Sequence, residues 1–461
     1  MSDLAVRTTD IPGLLIVDLP VHGDARGWFK ENWQRAKMTD LGLPDFGPVQ
    51  QNVSFNDEVG VTRGIHAEPW DKFVSVATGR IFGAWVDLRE GESHGRVVTV
   101  EMGPERAVFV PRGVGNAYQT LEERTAYAYL VNDHWSPAAK ERYTFVQLGD
   151  PGLGIEWPIP LGEATLSDAD RTHPVLAEAR PVRPRRTLIL GAGGQLGRAL
   201  AQALPEALAL PRAEADLARP ETLEAIDWRD VDAIINAAAY TAVDAAETDE
   251  GRKEAWATNV TGVAHLTEIA RRHNLPLVHV SSDYVFDGTA EEHSEDEAFS
   301  PLGVYGQTKA AGDAIVATWR QHYIVRTSWV VGDGKNFVAT MRMLAEKGVS
   351  PSVVDDQFGR LSFTEDIAAG IVHLLESGAE YGTYNLTNTG PVQSWFDIAA
   401  DVFELCGRER ADVTPISTEE YGKDKAMAPR PRHSSLGLDR ISTTGYVPPT
   451  ASMRLAAALA T

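Results

Sequence analysis

The sequence places Tyr305 and Lys309 four residues apart, and this pair offers the most specific chemistry in the chain. That spacing puts both side chains on one face of a helix. A phenol can protonate a carbonyl oxygen as hydride reaches its carbon, and a nearby ammonium favours the phenolate. Ser282 ends a strand-like run upstream, and its hydroxyl can hydrogen-bond the same oxygen. The spacing alone usually marks an exposed helix face, but its position after a Gly-rich turn and a Ser-ended strand favours hydride transfer.

The Gly-rich turn follows a short apolar run and carries Gly191, Gly194 and Gly197. Glycines at this spacing let the backbone approach a pyrophosphate at a helix N-terminus, which predicts a dinucleotide cofactor. After the predicted second strand, 207–210, the chain continues with Arg212 instead of an acidic residue. An acidic residue there would hold the ribose 2′-hydroxyl of NADH, whereas an arginine can meet the 2′-phosphate of NADPH. We therefore expect NADPH, with NADH left open.

In the first half of the chain, His66 has two cations close in sequence, Arg63 and Lys72. Neighbouring cations lower the proton affinity of an imidazole and keep it neutral, as a general base requires. A predicted strand further on carries Tyr127 and Tyr129 on one face. Considered alone, His66 is more often an ordinary, partly buried histidine, and the two tyrosines are more often part of the core.

A metal site is a rival use for the histidines of the first half. Metal sites in β-barrels commonly pair two histidines on one strand face, as His-x-His. We find no such pair and predict no metal here, because the histidines are scattered over five positions: His22, His66, His94, His134 and His173.

The elements that would position these residues change in type near residue 180. Before it, short β runs alternate with Gly, Pro and Asp turns, which predicts an all-β domain. After it, β runs alternate with Ala-rich helical stretches, which predicts a parallel sheet with helices on both faces. We expect a multidomain chain with domains over 1–175 and 187–461, joined by a Pro- and Arg-rich linker, 176–186.

Composition narrows the class of protein further. The 461 residues include 43 Lys and Arg against 65 Asp and Glu, a net charge of −22 that disfavours binding to nucleic acid. The single cysteine, Cys406, excludes an internal disulfide and a thiolate metal cluster. The first residues lack a signal-peptide pattern, and no run reaches the ~18 apolar residues of a membrane span. We expect a cytoplasmic protein that binds neither nucleic acid nor a membrane.

The second half resembles the dTDP-4-dehydrorhamnose reductase family, in the extended branch of the short-chain dehydrogenase/reductase superfamily. The resemblance covers nearly all of 187–461 and rests on residues 235–244, 282–288, 326–329, 336–337, 354–357 and 428–431. It implies a doubly wound Rossmann fold with a small substrate-binding subdomain, and Ser282, Tyr305 and Lys309 as the catalytic set. The family sometimes carries Mg²⁺ at a subunit contact through glutamates, which we cannot place in this sequence.

The resemblance also implies binding residues. For the cofactor these are Gly191, Gly194, Gln195, Leu196, Gly197, Asp216, Ala237, Ala238, Ala239, Tyr240, Tyr305 and Lys309. For the sugar nucleotide they are Val243, Asp244, Trp329, Asn336, Gln357 and Arg430.

The first half resembles the dTDP-4-dehydrorhamnose 3,5-epimerase family, which has a cupin-like jelly roll. The matching segments are 24–31, 50–54, 60–66, 72–74, 86–89, 110–113, 154–158 and 166–170. The resemblance implies that His66 is a base held by Asp170, that Tyr129 is the acid on the opposite face, and that Arg63 and Lys72 stabilise an enolate.

Further residues would bind the nucleotide and sugar of the same substrate. They are Arg26, Phe29, Glu31, Gln50, Asn52 and Asn116. The last of these stands where the family has a histidine, and Trp135 stands where a second tyrosine is common.

Together the two resemblances imply a fused enzyme. It would epimerise dTDP-4-dehydro-6-deoxy-D-glucose at C3 and C5 and then reduce C4 to give dTDP-L-rhamnose. Two alternatives stay open: a reductase whose barrel only binds or assembles, and a related 6-deoxyhexose pathway with a single epimerisation. Both families tend to form dimers, so we expect a homo-oligomer with a dTDP-sugar as its small-molecule partner.

Overall fold

The computed structural model describes residues 3–423 and 425–460. The chain divides between Pro184 and Arg185 into two compact units. This division lies inside the segment 176–186, where we expect the linker. Part of that segment packs on the first unit, because the Val182 N–H donates to the carbonyl of Leu88 at 2.7 Å. The exact domain boundaries stay a prediction.

The first unit is built from antiparallel strands and short helices. Its strands are β1 Ala5–Thr8, β2 Leu15–Asp18, β3 His22–Asp24, β4 Gly27–Phe29, β5 Gln50–Asn56, β6 Thr62–Ala67, β7 Lys72–Thr78, β8 Ile81–Asp87, β9 Val97–Met102, β10 Arg106–Val110, β11 Val114–Thr120, β12 Thr125–Val131 and β13 Thr144–Phe145. Its helices are α1 Arg35–Asp40, α2 Pro137–Lys140 and α3 Asp168–Arg171, with a 3₁₀ turn at Pro151–Leu153. One sheet has the order β1-β2-β10-β7-β12-β5, a second has β13-β6-β11-β8-β9, and β3 pairs with β4.

Alternation along the strands sends one set of side chains into a common core. Val74 of β7, Trp85 of β8, Val108 of β10 and Tyr127 of β12 are buried in one apolar cluster that joins the two sheets. Burial of such alternating side chains is what stabilises two packed antiparallel sheets. The predicted cupin-like jelly roll is confirmed.

The second unit is a parallel sheet with helices on both faces. Its main strands are β14 Arg186–Leu190, β15 Leu208–Leu210, β16 Val231–Asn236, β17 Leu277–Ser282, β18 His322–Thr327 and β23 Gly382–Asn385, in the order β15-β14-β16-β17-β18-β23. The minor strands are β19 Val330–Val331, β20 Ser352–Val354, β21 Phe358–Gly359, β22 Ser362–Phe363, β24 Gln393–Ser394 and β25 Thr414–Ile416.

The helices of this unit alternate with its strands. They are α4 Gln195–Ala203, α5 Pro220–Glu224, α6 Asp249–Trp256, α7 Val263–Arg272, α8 Val304–Val316, α9 Phe337–Glu346, α10 Thr364–Glu376, α11 Trp395–Leu405, α12 Thr418–Gly422, α13 Asp439–Thr443 and α14 Ala451–Leu459. A π-helical turn lies at Ala257–Gly262, and 3₁₀ turns lie at Trp228–Asp230, Ala245–Glu247, Asp283–Val285 and Arg410–Asp412.

The two faces of the parallel sheet bury separate apolar clusters. Leu188, Leu266 and Ile324 belong to one, and Ile189 and Ile371 to the other. A third cluster joins α9, α11 and α14 into a small subdomain. The chain leaves β14 for β15 on one side and returns to β16 on the other, so a crevice opens at the carboxyl ends of β14 and β16. The predicted Rossmann fold is confirmed.

Each apolar cluster found among the described residues lies wholly within one unit, so each unit has its own core. Across the described ranges, every helix is too short or too polar to cross a membrane.

Candidate active sites

In the first unit, β6 and α3 bring His66 and Asp170 together. Nε2 of His66 lies 2.9 Å from Oδ1 of Asp170, and the carboxylate is buried. Ser167 caps α3 and accepts the Asp170 N–H at 3.1 Å, which fixes the start of this short helix. Burial raises the pKa of Asp170, but hydrogen bonds with His66 and Ser167 outweigh it and hold that pKa below its usual value. An ionised carboxylate therefore orients the imidazole.

A second imidazole, which we did not predict as a site residue, lies beside this pair. Nε2 of His173 is 3.4 Å from the same Oδ1 of Asp170, and its ring stacks on Phe145 with centroids 4.7 Å apart. Burial, followed by the charge of His66, lowers the pKa of His173. The sequence does place His173 three residues after Asp170, but this spacing indicates a contact only when the segment is known to be helical.

The ligand atoms of His66, Asp170 and His173 lie within 4.8 Å of one another. Among the residues that the structure describes, this is the one group of three or more such side chains close enough to share a metal ion. The prediction that this half holds no metal thus stays a prediction. The described residues of the second unit hold no such group, so nothing in them supports Mg²⁺ there.

Lys72 and Tyr129 lie close together on neighbouring strands, β7 and β12. Nζ of Lys72 is 5.5 Å from the centre of the Tyr129 ring and 2.8 Å from Oε1 of Glu68. Both partners of this ion pair are nearly buried. Burial, followed by the negative charge of Glu68, raises the pKa of Tyr129 to about 12, so the phenol stays protonated. Glu68 is a further residue that the sequence reasoning missed, although it stands only four residues before Lys72.

Asn116 lies directly opposite His66 in the pairing of β11 with β6. Its Oδ1 accepts a hydrogen bond from the Tyr127 hydroxyl at 2.8 Å. Tyr127 is buried and stacks on Tyr118, with centroids 4.1 Å apart. Burial raises the pKa of Tyr127 well above its usual value. The asparagine therefore holds a phenol of the core in place.

The remaining predicted residues of this unit fall into two places. Asn52 pairs with Tyr129 across β5 and β12, and it accepts a hydrogen bond from Gln50 at 3.0 Å. Phe29 and Glu31 instead line a cavity of about 570 Å³ that His66 does not line.

Two predicted arginines of this unit, Arg26 and Arg63, contact polar side chains of the same unit. Arg26 lies on the turn between β3 and β4, exposed and paired with Asp24. Nε of Arg63 is 3.4 Å from Oδ1 of Asn56. The roles of these residues stay predictions.

In the second unit, a cavity of about 580 Å³ opens at the carboxyl ends of β14, β16 and β17. The predicted residues that line it are Gly194, Gln195, Leu196, Ala237, Ala239, Val243, Ser282, Tyr305, Lys309 and Trp329.

Other predicted cofactor residues do not line the cavity but shape the backbone next to it. A Cβ on Gly191 would come within 2.7 Å of the Ala238 nitrogen, and one on Gly197 within 2.1 Å of the Gly191 carbonyl oxygen. Only glycine allows this close approach of the turn to the sheet. The backbone N–H of Tyr240 donates to Asn259 at 2.8 Å.

The amino end of α4 meets this cavity without a capping side chain. Gly194 is its N-cap, and glycine has no side chain that could accept from the first N–H groups of the helix. Free N–H groups and the helix dipole make such an end suitable for a phosphate group. The turn and the helix together fit a dinucleotide.

Asp216 lies beyond β15 and organises two arginines. Its carboxylate is 3.2 Å from Arg212 and 3.4 Å from Arg219, and it also accepts the Ala218 N–H at 3.0 Å. Burial raises the pKa of Asp216, but the bonds with Ala218 and Arg212 hold it below its usual value. At the position where we predicted that Asp216 contacts the cofactor, its carboxylate holds the guanidinium groups of Arg212 and Arg219 in place.

The predicted catalytic set comes together on β17 and α8. Burial raises the pKa of Tyr305 to about 12, against a hydrogen bond with Ser282. The Ser282 hydroxyl donates to Asp283 at 2.9 Å, and burial raises the pKa of Asp283 to about 6. Lys309 is almost fully buried and donates to the Val280 carbonyl at 2.8 Å. Burial lowers the pKa of Lys309 to about 8, against the attraction of Asp313.

A second cavity, of about 370 Å³, is lined by Gln357 and Arg430 together with Tyr284, Phe337 and Trp395. Trp395 stacks on Trp329 with centroids 3.7 Å apart, so an aromatic wall runs between the two cavities of this unit.

Two predicted binding residues next to these cavities are held by the protein itself. Nη2 of Arg430 donates to both carboxylate oxygens of Asp244 at 2.9 Å, and this pairing holds the pKa of Asp244 below its usual value against burial. Asn336 caps α9 by accepting the Ala339 N–H at 2.9 Å. Their roles toward a ligand stay predictions.

A jelly roll with a hydrogen-bonded His–Asp pair, followed by a Rossmann unit with a Ser–Tyr–Lys set, defines an epimerase joined to a short-chain dehydrogenase/reductase. The chain belongs to the dTDP-4-dehydrorhamnose 3,5-epimerase family, whose model matches residues 8–178, and to the family described as RmlD substrate binding domain, whose model matches 185–461.

Relatives of known sequence or structure match each unit separately. A protein named RmlC homolog from Streptococcus pyogenes is 50% identical over 181 residues, covering 38% of this chain and 91% of the relative. The dTDP-4-dehydrorhamnose reductase of Aggregatibacter actinomycetemcomitans is 38% identical over 284 residues, covering 58% of this chain and 95% of the relative.

Among solved structures, the dTDP-4-dehydrorhamnose reductase of Bacillus anthracis in complex with NADP is similar, with a TM-score of 0.55. It is 32% identical, and the match covers 60% of this chain and 98% of that one. One chain therefore carries an epimerase unit and a reductase unit, as the sequence predicts.

Proposed function

We propose that this protein makes dTDP-L-rhamnose from dTDP-4-dehydro-6-deoxy-D-glucose in two steps. The first unit epimerises C3 and C5, and the second unit reduces the C4 ketone. The observation that carries the proposal is the presence in one chain of a hydrogen-bonded His66–Asp170 pair and of a Ser282–Tyr305–Lys309 set. The names of the relatives support the substrate of each step.

His66 is the proposed base of the epimerisation. The 4-keto group acidifies the protons on C3 and C5, so a neutral imidazole can remove them. The ionised Asp170 only accepts, so Nε2 of His66 carries its hydrogen toward the carboxylate and Nδ1 is left to take the substrate proton. Asp170 then stabilises the imidazolium.

Tyr129 returns a proton on the opposite face of the ring, which inverts the carbon. Its raised pKa keeps the phenol protonated until it is needed. Lys72 and Arg63 stabilise the negative charge that develops on the C4 oxygen. Gln50, Asn52 and Asn116 bind the sugar from β5 and β11, and Arg26, Phe29 and Glu31 bind the nucleotide from the β3–β4 side.

NADPH is the proposed cofactor of the second unit, and it supplies the hydride when it is bound. Gly191, Gly197 and the open end of α4 suit its pyrophosphate, and Ala237 to Tyr240 follow the strand beside it. Arg212, anchored by Asp216, would meet a 2′-phosphate, which favours NADPH over NADH. The NADP complex of the Bacillus anthracis relative supports this choice.

The residues of the chain supply the proton and orient the ketone. Tyr305 gives its hydroxyl proton to the C4 oxygen, Ser282 hydrogen-bonds the same oxygen, and Lys309 favours the phenolate that is left. The sugar nucleotide would contact Val243 and Trp329 in the larger cavity and Gln357 and Arg430 in the smaller one. Asp244 would orient Arg430, and Asn336 would fix the start of α9 next to the smaller cavity.

A homodimer and a cytoplasmic location remain part of the proposal, since both follow from the sequence and its resemblances. The two alternatives predict different outcomes with the purified full chain, dTDP-4-dehydro-6-deoxy-D-glucose and NADPH. We expect NADPH oxidation and dTDP-L-rhamnose as the product. Turnover only after addition of a separate epimerase would show that the barrel merely binds or assembles. Solvent deuterium at C5 or C3 alone would show a single epimerisation and a different 6-deoxyhexose.

A further inference from the structure

A line of buried polar groups runs behind the reductase site from Asn236 through His279 to Lys309. Asn236 ends β16, His279 lies in the middle of β17, and Lys309 lies on α8. All three side chains are at most 1% exposed. Nδ2 of Asn236 is 3.0 Å from Nδ1 of His279, and Nε2 of His279 is 3.4 Å from Nζ of Lys309. The first distance is that of a hydrogen bond, and the second brings the two nitrogens into direct contact.

The direction of these hydrogen bonds follows from the backbone. The N–H of Ala238 donates to Oδ1 of Asn236 at 3.1 Å, which turns the amide nitrogen of Asn236 toward His279. An amide NH₂ only donates, so Nδ1 of His279 accepts, and a neutral His279 must carry its hydrogen on Nε2. Burial, followed by the charge of Lys309, lowers the pKa of His279 well below its usual value, so the ring is neutral.

The Nε2–H of His279 therefore faces Lys309. An ammonium group has no lone pair, so the contact sets one donor against another while Lys309 is charged. It becomes a hydrogen bond only when Lys309 is a neutral amine. Lys309 also donates to the Val280 carbonyl, lines the cavity with Tyr305, and is attracted by Asp313 on α8, which is itself bonded to Arg326 at 3.0 Å.

We propose that His279, held in its Nε2–H form by Asn236, is a positioning residue that lowers the proton affinity of Lys309. A lower proton affinity eases the release of a proton from Lys309. Each reduction breaks the O–H bond of Tyr305 and moves that proton to the C4 oxygen of the substrate. Lys309 releases a proton toward the phenolate and regains one from water, so one solvent proton is consumed per turnover. This role rests on the proposed reductase function.

The tautomer is tested without any assay of activity. Full-length protein labelled with ¹⁵N-histidine is compared with His279→Gln, and the signals missing in the variant belong to His279. We expect a protonated Nε2 and an unprotonated Nδ1 at pH 7. A protonated Nδ1, or an imidazolium, would overturn the proposal even if the reductase is fully active.

The effect on Lys309 is tested by the pH dependence of ketone reduction. Reduction needs the protonated pair, so kcat falls as pH rises through the pKa of Lys309. In His279→Gln the amide oxygen can accept from the ammonium, so we expect the alkaline midpoint to move up by about one pH unit, a tenfold change in proton affinity. Asn236→Asp keeps the shape of the side chain and reverses the His279 tautomer, so it should move the midpoint in the same direction.

The matched control is His322→Gln, the same substitution at the start of the neighbouring strand β18, where Nδ1 of His322 lies 2.5 Å from the Trp319 carbonyl oxygen. We expect its alkaline midpoint to equal that of the unchanged protein. A lower kcat in His279→Gln with an unmoved midpoint would mean that His279 only packs, and would reject the proposal. If neither protein reduces the ketone at any pH, the reductase function itself fails, while the NMR result still decides the tautomer.

Discussion

His66 bonds through Nε2 to a carboxylate of Asp170 that is buried, while the imidazole itself is about one-third exposed. The carboxylate thus fixes the ring through Nε2 and leaves Nδ1 without a bond to Asp170. An exposed imidazole oriented by a buried anion is an arrangement suited to a base.

Replacement of Asp170 by asparagine should remove the charge that stabilises the imidazolium while keeping the size of the side chain. We expect proton abstraction to slow by up to about 10⁴-fold, the loss seen when the orienting carboxylate of a serine-protease triad is neutralised. Deuterium uptake from D₂O at C3 and C5 measures this step directly. Reduction of separately prepared dTDP-4-dehydro-L-rhamnose should be unchanged in the same variant, and a parallel loss there would point to unfolding.

Chelation should leave epimerisation intact, although His66, Asp170 and His173 lie close enough to share an ion. His66 has to accept a proton, and a ring bound to a metal through the nitrogen facing Asp170 would lose its orienting bond. We expect full activity after treatment with EDTA and less than one equivalent of metal by elemental analysis. Activity lost on chelation and restored by one divalent metal would show that the three side chains form a metal site.

The variant His173→Phe separates packing from proton transfer. A phenyl ring preserves the stacking on Phe145 but removes the nitrogen that lies 3.4 Å from Asp170. We expect a loss of less than about tenfold in epimerisation, because a contact longer than 3.2 Å is a weak hydrogen bond. A loss as large as that of Asp170→Asn would instead make His173 essential for the proton transfer.

Tyr305→Phe should impair the reduction and leave the epimerisation intact, the reverse of Asp170→Asn. It removes the proposed proton donor of the reduction, which we expect to lower kcat by about 10²–10⁴-fold. NADPH oxidation reports the loss, and deuterium exchange in the first unit serves as the control that should not change. The prediction fails if NADPH oxidation continues at more than a tenth of its original rate.

Arg212→Ala tests the preference for NADPH. Removing one charged hydrogen-bonding group costs about 1.5–3 kcal/mol, which corresponds to an increase of about 10–100-fold in the KM for NADPH. The KM for NADH should stay the same, since NADH has no 2′-phosphate. Equal changes for both cofactors would place Arg212 elsewhere, with Asp216 and Arg219 acting only in the fold.

Local spacing made part of this molecule predictable. Tyr305 and Lys309 share a helix turn, and Gly191 to Gly197 follow a strand directly, so neighbours in sequence were neighbours in space. The pairing of His66 with Asp170 came from family resemblance and was also correct in geometry.

Contacts that depend on sheet order could not be predicted in the same way. His279 faces Lys309 only because β17 lies beneath α8, and Asn236 reaches His279 only because β16 lies next to β17. The bond between Asp244 and Arg430 joins positions far apart in the chain, and no local pattern signals it. The contact of His173 with Asp170 depends on the helical turn of α3. That helix has only the four residues Asp168–Arg171, too few for a periodic pattern in the sequence.

Because each unit buries its own apolar clusters, heat or denaturant need not inactivate both catalysts at one temperature. If the reductase melts first, a warmed sample will accumulate the keto-sugar intermediate while NADPH remains unspent. If the epimerase melts first, the starting sugar will persist and no intermediate will be seen. The mixture of sugars left after partial heating would therefore reveal which half of the chain is the more fragile.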